Sequence, residues 1–273
     1  MASISEFVLR PFEGLPNEPD WVAMREIVPA ATAHVRTTAE QGSRDVLVTT
    51  NLPMSWPALH RTDGVVLVAL QAIAGTGDAS RNVAAVLLEA LAAEPGTSVT
   101  TTSSPGDGPR LQDVLDLTVP FEVTVHEGFE YWLASDTEVT PELRESLEEA
   151  DATIVPTRKL AGVESAYWCR MAGREFVRWA RAEDEQVVLD ALARLHARRQ
   201  SGIGASRFVG YFRTCGLVVP VWELPRGTEA ADIEPEVQAF STGFSAALAD
   251  TTPLDANQRR ARSGLVARQV TLR

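Results

Sequence analysis

The sequence predicts an α+β fold in which mixed, mainly antiparallel sheets pack against helices. Runs rich in β-branched and aromatic residues occur in pairs around glycine-containing turns, which is typical of antiparallel hairpins. Segments with apolar residues at helical spacing follow these pairs, without the strict strand–helix alternation of a parallel sheet.

The first third of the chain begins with a helix. Pro19 and Asp20 suit the first turn of a helix over 19–28, and Pro29 ends it. Two apolar, β-branched runs and one amphipathic segment then predict two strands and a helix, at 45–50, 65–74 and 79–93.

The segment 95–109 is rich in Gly, Pro, Ser and Thr and is the candidate flexible part of the chain. We therefore divide the chain into an N-terminal lobe at 1–94, a flexible loop or linker at 95–119, and a C-terminal lobe at 120–273. Whether the middle segment joins two lobes or is a long surface loop stays open at this point.

The second half predicts further strands and helices. Alternation over 121–135 indicates a strand or a hairpin, and Thr140 followed by Pro141 is a favourable start for a helix. Two hairpins follow, each with an amphipathic helix behind it, at 166–182 around Ala172–Gly173 and at 207–224 around Cys215–Gly216.

The last twenty residues, 254–273, are predicted to be integral to the fold as a short helix and a strand. The apolar side chains of Leu265, Val266, Val270 and Leu272 need burial, which a free tail would not provide.

A short internal sequence similarity suggests two related lobes. The sequence VLLEALA at 86–92 resembles VVLDALA at 187–193, and each lies in a helix that follows strands. Chance is the alternative, because short apolar helices often look alike.

The composition indicates a soluble, cytoplasmic protein. The 273 residues carry a net charge of −12, which repels phosphate backbones and disfavours general nucleic-acid binding. The two cysteines, Cys169 and Cys215, are too few for a disulfide scaffold, so we expect a reducing compartment and structural thiols. No apolar run approaches the roughly 18 residues of a membrane span, and the first residues lack a signal-peptide pattern, so we expect no membrane partner.

The loop GTGDASRN lies between a predicted strand and a predicted helix, where a phosphate-binding loop would lie. Gly75 and Gly77 would allow an anion to approach closely, and Ser80 and Arg81 could contact it. The third glycine of GxGxxG is missing, and the chain contains no GxxxxGK[ST] motif. We favour the alternative, a turn in which Asp78 or Ser80 caps the helix.

His126 and Glu127 are a candidate acid–base pair, and Trp132 and Trp168 are candidates for an aromatic-lined pocket. HEGFE lacks the second histidine of HExxH, and the other histidines offer no ligand spacing, so we predict no metal and no cofactor. Adjacent residues on a strand face opposite ways, which favours a structural or surface histidine. Core packing is likewise the favoured role of the tryptophans.

Arginines are concentrated near the C-terminus, at Arg259, Arg260, Arg262, Arg268 and Arg273. We favour an intramolecular clamp between this segment and acidic segments such as 145–151. The alternative is a docking site for RNA or for an acidic partner.

A series of motifs runs collinearly between residues 7 and 273. It includes RPFEGLP (10–16), DWVAMREIVPAATA (20–33), VTVHEGFEYWL (123–133), AYWCRM (166–171), GLVVPVWELP (216–225) and RRARSGLVARQVTLR (259–273). Together these motifs resemble an uncharacterised family of actinobacterial proteins, a domain of unknown function. Relatives sometimes carry the names preprotein translocase or topoisomerase, and they tend to begin with a Lys/Arg-rich extension. Neither name agrees with the residues, which provide no Walker A motif and no largely basic groove.

Three hypotheses for the function follow. The one we favour is a non-enzymatic binding or interaction protein with an unidentified protein partner, because no complete catalytic constellation can be assembled. The second is a small-molecule-binding protein or enzyme with a pocket near 75–82 or around the aromatic strands. The third is an accessory factor of nucleic-acid machinery that uses the Arg-rich C-terminal segment. The oligomeric state is open.

Overall fold

The computed structural model describes residues 7–72, 77–100 and 106–267. Contacts divide the chain into two compact units, Met1–Ile154 and Val155–Arg273, each with its own sheet. The predicted α+β class and the mainly antiparallel pairing are confirmed. None of the described helices is long and apolar enough to cross a membrane.

The first unit is built on one six-stranded sheet. Its described helices and strands are α1 (Glu18–Glu26), β1 (Ala31–Arg36), β2 (Asp45–Thr49), β3 (Ala58–His60), β4 (Val66–Ala69), α2 (Ala79–Ala92), β5 (Thr97–Val99), α3 (Leu111–Val114), β6 (Thr124–Val125) and α4 (Pro141–Asp151). The strand order is β5-β3-β4-β2-β1-β6. The pair β2–β4 is parallel, and the other pairs are antiparallel.

Helix α2 covers β3, β4 and β5 with the apolar stripe that the sequence predicts. Val83, Val86, Leu87 and Ala90 recur at helical spacing and are buried. All four residues of β4 are buried too, as expected for a central strand with both faces covered. The loop before α2 follows β4, an inner strand of the sheet.

The segment 121–135 is not the strand or hairpin that its alternation predicts. It contains only the two-residue strand β6 and one turn of 3-10 helix. Phe121 stacks on Trp21 with ring centroids 4.0 Å apart, and Phe129 stacks on Trp132 at 4.3 Å. The apolar residues of this segment are therefore buried in part by ring stacking and do not form a continuous strand.

The contacts divide the chain elsewhere than at the segment 95–119, where the composition suggested a linker. Residues 97–99 of this segment form β5, whereas 101–105 lie outside the described residues. Nη1 of Arg61 donates to the carbonyl oxygens of Tyr131, at 3.1 Å, and Leu133, at 2.6 Å. These bonds and the β1–β6 pairing tie the residues after 120 to the first sheet.

The second unit is a five-stranded antiparallel sheet with three described helices. Its elements are β7 (Thr157–Lys159), β8 (Ala166–Met171), β9 (Arg174–Trp179), α5 (Glu185–Ala197), β10 (Arg207–Thr214), β11 (Leu217–Glu223), α6 (Ala230–Ala249) and α7 (Ala256–Val266). The strand order is β10-β11-β9-β8-β7. One apolar cluster joins side chains of α5, α6 and α7 to those of the four longer strands.

Both predicted hairpins of this unit are confirmed. Their turn residues have left-handed backbones, with φ of 50° and 70° at Ala172–Gly173 and of 46° and 75° at Cys215–Gly216. Type I′ turns need this conformation at both central positions because it matches the twist of the strands. The two units differ in strand order, so the topology gives no support to an internal duplication.

Helix α7 brings part of the C-terminal segment into the second unit. Leu265 is 1% exposed and belongs to the apolar cluster. Val266 is 41% exposed, so the prediction of its burial is wrong, because it lies in a helix and faces away from that cluster. Val270, Leu272 and the predicted terminal strand lie outside the described residues.

Candidate functional site

The loop before α2 is closed by its own carboxylate. Asp78 is the N-cap of α2, and its Oδ1 accepts the backbone N–H groups of Ser80, at 3.0 Å, and Arg81, at 3.4 Å. Gly77 supplies the positive φ of 95° that the turn requires, and Gly75 lies outside the described residues. The predicted helix cap is therefore confirmed.

Arg81, Arg110 and Ser80 also have partners within the first unit. Nε of Arg110 lies 2.7 Å from Oδ2 of Asp78, and Nε of Arg81 lies 3.9 Å from the same oxygen. The hydroxyl of Ser80 donates to Oε1 of Gln112 at 2.6 Å. An incoming anion would have to displace a buried carboxylate from its own helix terminus, which opposes phosphate binding here.

His126 and Trp132 meet in one aromatic cluster beside the ends of β1 and β2. Nε2 of His126 lies 2.8 Å from the hydroxyl of Thr32, and its ring centroid is 4.9 Å from that of Tyr131. The indole N–H of Trp132 donates to the carbonyl oxygen of Asn51 at 3.1 Å. The partner of His126 is thus a threonine of a neighbouring strand and not the adjacent glutamate that the sequence offered.

Burial sets the protonation of this cluster. Desolvation lowers the pKa of His126, and the charge of Glu130 opposes that shift. Desolvation raises the pKa of Tyr131 to about 12, although its hydroxyl lies 3.3 Å from that of Thr50. Both rings are therefore neutral at neutral pH, and the phenol is a poor acid. This arrangement suits a structural network that ties residues 126–132 to the sheet.

The second unit carries an open groove between β7, β8 and the start of α6, which we call the β7–α6 groove. It has a volume of about 460 Å³. The side chains that line it include Arg158, Lys159, Trp168, Arg170, Glu229 and Glu234. Three cationic and two anionic groups therefore face one concave surface, at the edge strand of the sheet and the N-terminus of a helix.

Trp168 forms the floor of the β7–α6 groove and holds Arg170 above it. The indole N–H donates to the carbonyl oxygen of Thr228 at 2.9 Å, and the ring is almost fully buried. The guanidinium of Arg170 lies 5.1 Å from the centroid of that ring, a cation–π contact. Nε of Arg170 is 2.9 Å from Oε1 of Glu175, and Nη2 contacts Glu229.

Helix α6 is hydrogen-bonded to the loop that follows β7. Oε1 of Glu234 accepts the N–H of Ala161 at 2.9 Å, and Nε2 of Gln238 donates to the carbonyl oxygen of Ala161 at 3.0 Å. Gly162 has φ of 79°, a left-handed backbone conformation that favours glycine. These bonds hold α6 beside the loop after β7, and a surface that is ordered before binding loses less entropy when a ligand binds.

Among the arginines of the C-terminal segment, Arg262 makes an ion pair within the second unit, and Arg268 and Arg273 lie outside the described residues. Nε of Arg262 lies 2.5 Å from Oδ1 of Asp190 on α5. The buried Arg194 of α5 in turn pairs with Asp250 at 3.2 Å. An intramolecular clamp thus exists at Arg262, and its acidic partner lies on α5, outside the segment 145–151 that the sequence suggested.

The burial of Cys169 argues against an activated nucleophile at that position. Cys169 and Cys215 are free thiols, and burial raises the pKa of Cys169 against the opposing effect of Arg178. Among the described residues, no group of three or more His, Cys, Asp or Glu side chains could hold a metal ion.

Sequence reasoning singled out Trp168 but missed the groove around it. The adjacent cations Arg158 and Lys159 could have indicated a binding surface there, since Lys159 is the chain's one lysine. Glu229 and Glu234 lie about seventy residues further on, and only the packing of α6 on the sheet brings them to the same surface.

A model of a family of unknown function (DUF5926) matches residues 11–273. No curated protein and no solved structure matches the chain.

Proposed function

The chain belongs to this family of unknown function, and from its own geometry we propose that it is a non-enzymatic binding protein whose ligand site is the β7–α6 groove. The observation that carries the proposal is the convergence of five charged side chains on a concave surface with a tryptophan floor. A peptide segment of a partner protein suits this surface, because it offers both charges and backbone hydrogen-bonding groups.

The first unit supports this choice of site. Its candidate groups around Asp78 and His126 already bond to neighbouring residues, which favours structural roles for them. The groove differs, because it is open to solvent and its floor is held by bonds that a ligand would leave intact.

The test fills the groove and leaves the rest of α6 unchanged. Ala231 is exposed and lines the groove, so Ala231→Trp should block it without removing a core contact. Ala239→Trp is the matched control, because Ala239 is exposed on the same helix but lies outside the groove. Binding of labelled protein to an array of random 15-residue peptides is measured for all three proteins, and melting curves confirm that each one folds.

Wild type and Ala239→Trp should bind a common subset of the peptides, and Ala231→Trp should lose about tenfold or more of that signal. Equal binding by Ala231→Trp, or the absence of any bound peptide, would contradict the proposed function.

A cytoplasmic location is part of the same proposal. It is supported by the two free thiols, which suit a reducing compartment. Alkylation of thiols in intact cells followed by mass spectrometry should find both cysteines reduced, and an oxidised pair would contradict it.

A further inference from the structure

We propose that the β7–α6 groove recognises a carboxylate of its peptide ligand, and that the side chain of Glu229 holds the place of this carboxylate until the ligand displaces it. The inference deepens the proposed function and rests on it. It names Arg170 as the recognition residue and Glu229 as an internal competitor for Arg170.

Arg170 has two carboxylate partners that differ in mobility. Glu175 is fixed, because its side chain is 5% exposed and its Oε2 also accepts the N–H of Gly227 at 3.3 Å. Glu229 contacts the other end of the guanidinium from a side chain that is 58% exposed. An exposed ion pair is weak in water, so a ligand carboxylate can replace Glu229 on Arg170 at little cost. The ion pair with the buried Glu175 keeps the guanidinium in position meanwhile.

The charge of the groove becomes one unit more positive when Glu229 leaves, which favours an anion. Arg158, Lys159 and Arg170 line the groove, and the acidic side chain of Glu234, which lines it too, already accepts the N–H of Ala161. This local excess of positive charge lies in a chain with a net charge of −12. Nonspecific attraction of acidic ligands is therefore weak elsewhere, and the groove can select them.

The geometry of the groove also suits a carboxylate. The guanidinium presents a planar fork of donors that matches the two oxygens of a carboxylate, and it lies over the ring of Trp168. Glu229 directly precedes α6, a helix of twenty residues, so a carboxylate in its place faces the positive end of that helix. A peptide can supply this group from a Glu or Asp side chain or from its own C-terminus.

The test uses three labelled hexapeptides built on Gly and Ser. One contains Glu and has an amidated C-terminus, one contains Gln and has a free C-terminus, and one contains Gln and is amidated. Each is titrated into the full chain while the indole N–H signal of Trp168 is followed by NMR, with Trp168→Phe used to assign that signal. This signal reports on the floor of the groove directly.

The two carboxylate peptides should shift the Trp168 signal with dissociation constants in roughly the millimolar range expected for one short contact, whereas the neutral peptide should not. The stronger of the two identifies the source of the carboxylate. Glu229→Gln should tighten binding about two- to fivefold, because it removes the competitor but leaves Arg170 in place.

Glu223→Gln is the matched control. Glu223 also pairs with surface arginines of this unit, Arg174 and Arg207, but does not line the groove. It should therefore leave the affinity unchanged.

Two results would overturn the inference and leave the proposed function standing. One is an equal response to the neutral peptide, which would mean that the groove binds peptides without reading a carboxylate. The other is an unchanged affinity in Glu229→Gln, which would remove its role as competitor. Loss of all groove-dependent binding on the peptide array, in contrast, would contradict the proposed function itself.

Discussion

At the start of α2, single residues decide what a loop can bind. Asp78 occupies the helix terminus with its own carboxylate and draws Arg81 and Arg110 towards it. The cap could be predicted from the sequence because a carboxylate before a helix bonds locally to the next N–H groups. Arg110 could not, since it comes from a loop thirty-two residues further along the chain. The hydrogen-bonding partners of His126 and Tyr131 could not be predicted either, because they are distant in sequence and strand pairing brings them close.

Replacement of Asp78 should lower the stability of the first unit. Asp78→Ala removes a helix cap and leaves Arg110 without its carboxylate, so we expect a loss of about 1–2 kcal/mol in the free energy of unfolding. Asp78→Ser should recover part of this loss, because serine still caps the helix but carries no charge. Urea denaturation measures both values. Equal stability of Asp78→Ala and wild type would show that the cap contributes nothing.

At the scale of elements, local turn chemistry made the hairpins of the second unit predictable. The pairs Ala172–Gly173 and Cys215–Gly216 each place a glycine at the second position of a two-residue turn. The segment 121–135 was mispredicted because several of its apolar residues are aromatic rings that pack in other ways: Phe121 stacks on the distant Trp21, and Phe129 stacks on Trp132 within the segment. Alternation alone does not distinguish a strand from such a segment.

The first turn residue of the β8–β9 hairpin should tolerate glycine better than alanine. Ala172 has φ of 50°, a conformation that costs residues with a Cβ atom roughly 1 kcal/mol, and glycine removes that cost. We expect Ala172→Gly to raise the free energy of unfolding by about 0.5–1 kcal/mol after the entropy of the unfolded chain is included. Ala239→Gly, in the exposed interior of α6, is the contrasting case and should lower it by about 1 kcal/mol. A loss of stability in both variants would contradict the assigned turn.

Helix α7 should be a structural part of the second unit. Leu265 is 1% exposed in the apolar cluster, so Leu265→Ala should lower the free energy of unfolding by about 2–5 kcal/mol. Val266→Ala is the neighbouring control, and its effect should stay within about 0.5 kcal/mol because that side chain is 41% exposed. Thermal melts compare the two. Similar melting temperatures for both variants would indicate that α7 is a free tail.

At the scale of the whole molecule, charge is distributed unevenly. The segment 136–151 contains seven acidic residues and one arginine, which gives it a charge of −6, half of the −12 carried by the chain. It consists mainly of α4, whose residues include none that is buried. The sequence predicted this helix from its Thr140 cap, which accepts the N–H of Leu143 at 3.2 Å. Burial depends on neighbours, so the periodicity that placed Leu143 and Leu147 on one face could not predict their partial exposure.

The pH dependence of stability should reflect two opposing effects. Hydrogen bonds from arginines lower the pKa of several carboxyls, among them Asp45 beside Arg36, Glu175 beside Arg170 and Glu223 beside Arg207. A lowered folded-state pKa means that these groups stabilise the fold above the ordinary carboxyl pKa of about 4 and lose that effect as the pH falls through the folded values. Acidification from pH 7 towards the pI of about 4.9 acts the other way, because it relieves the repulsion of the net negative charge.

Loss of the arginine–carboxylate pairs should dominate below about pH 4, where the paired carboxyls become protonated. Above that pH most carboxyls are still ionised, so the main change is the weaker repulsion between negative charges. We therefore expect a melting temperature that is level or slightly higher between pH 7 and about 5, and that falls steeply below about 4. The lowered pKa of His126 makes the rise in melting temperature smaller, because the unfolded chain binds a proton at this histidine more readily as the pH drops below about 6.5.

Thermal melts from pH 3 to pH 7 at low and high salt measure the profile. High salt should flatten the part above pH 5, where exposed charges dominate, more than the fall below pH 4. A melting temperature at pH 3 as high as that at pH 6 would mean that the arginine–carboxylate pairs contribute nothing to the stability of the fold.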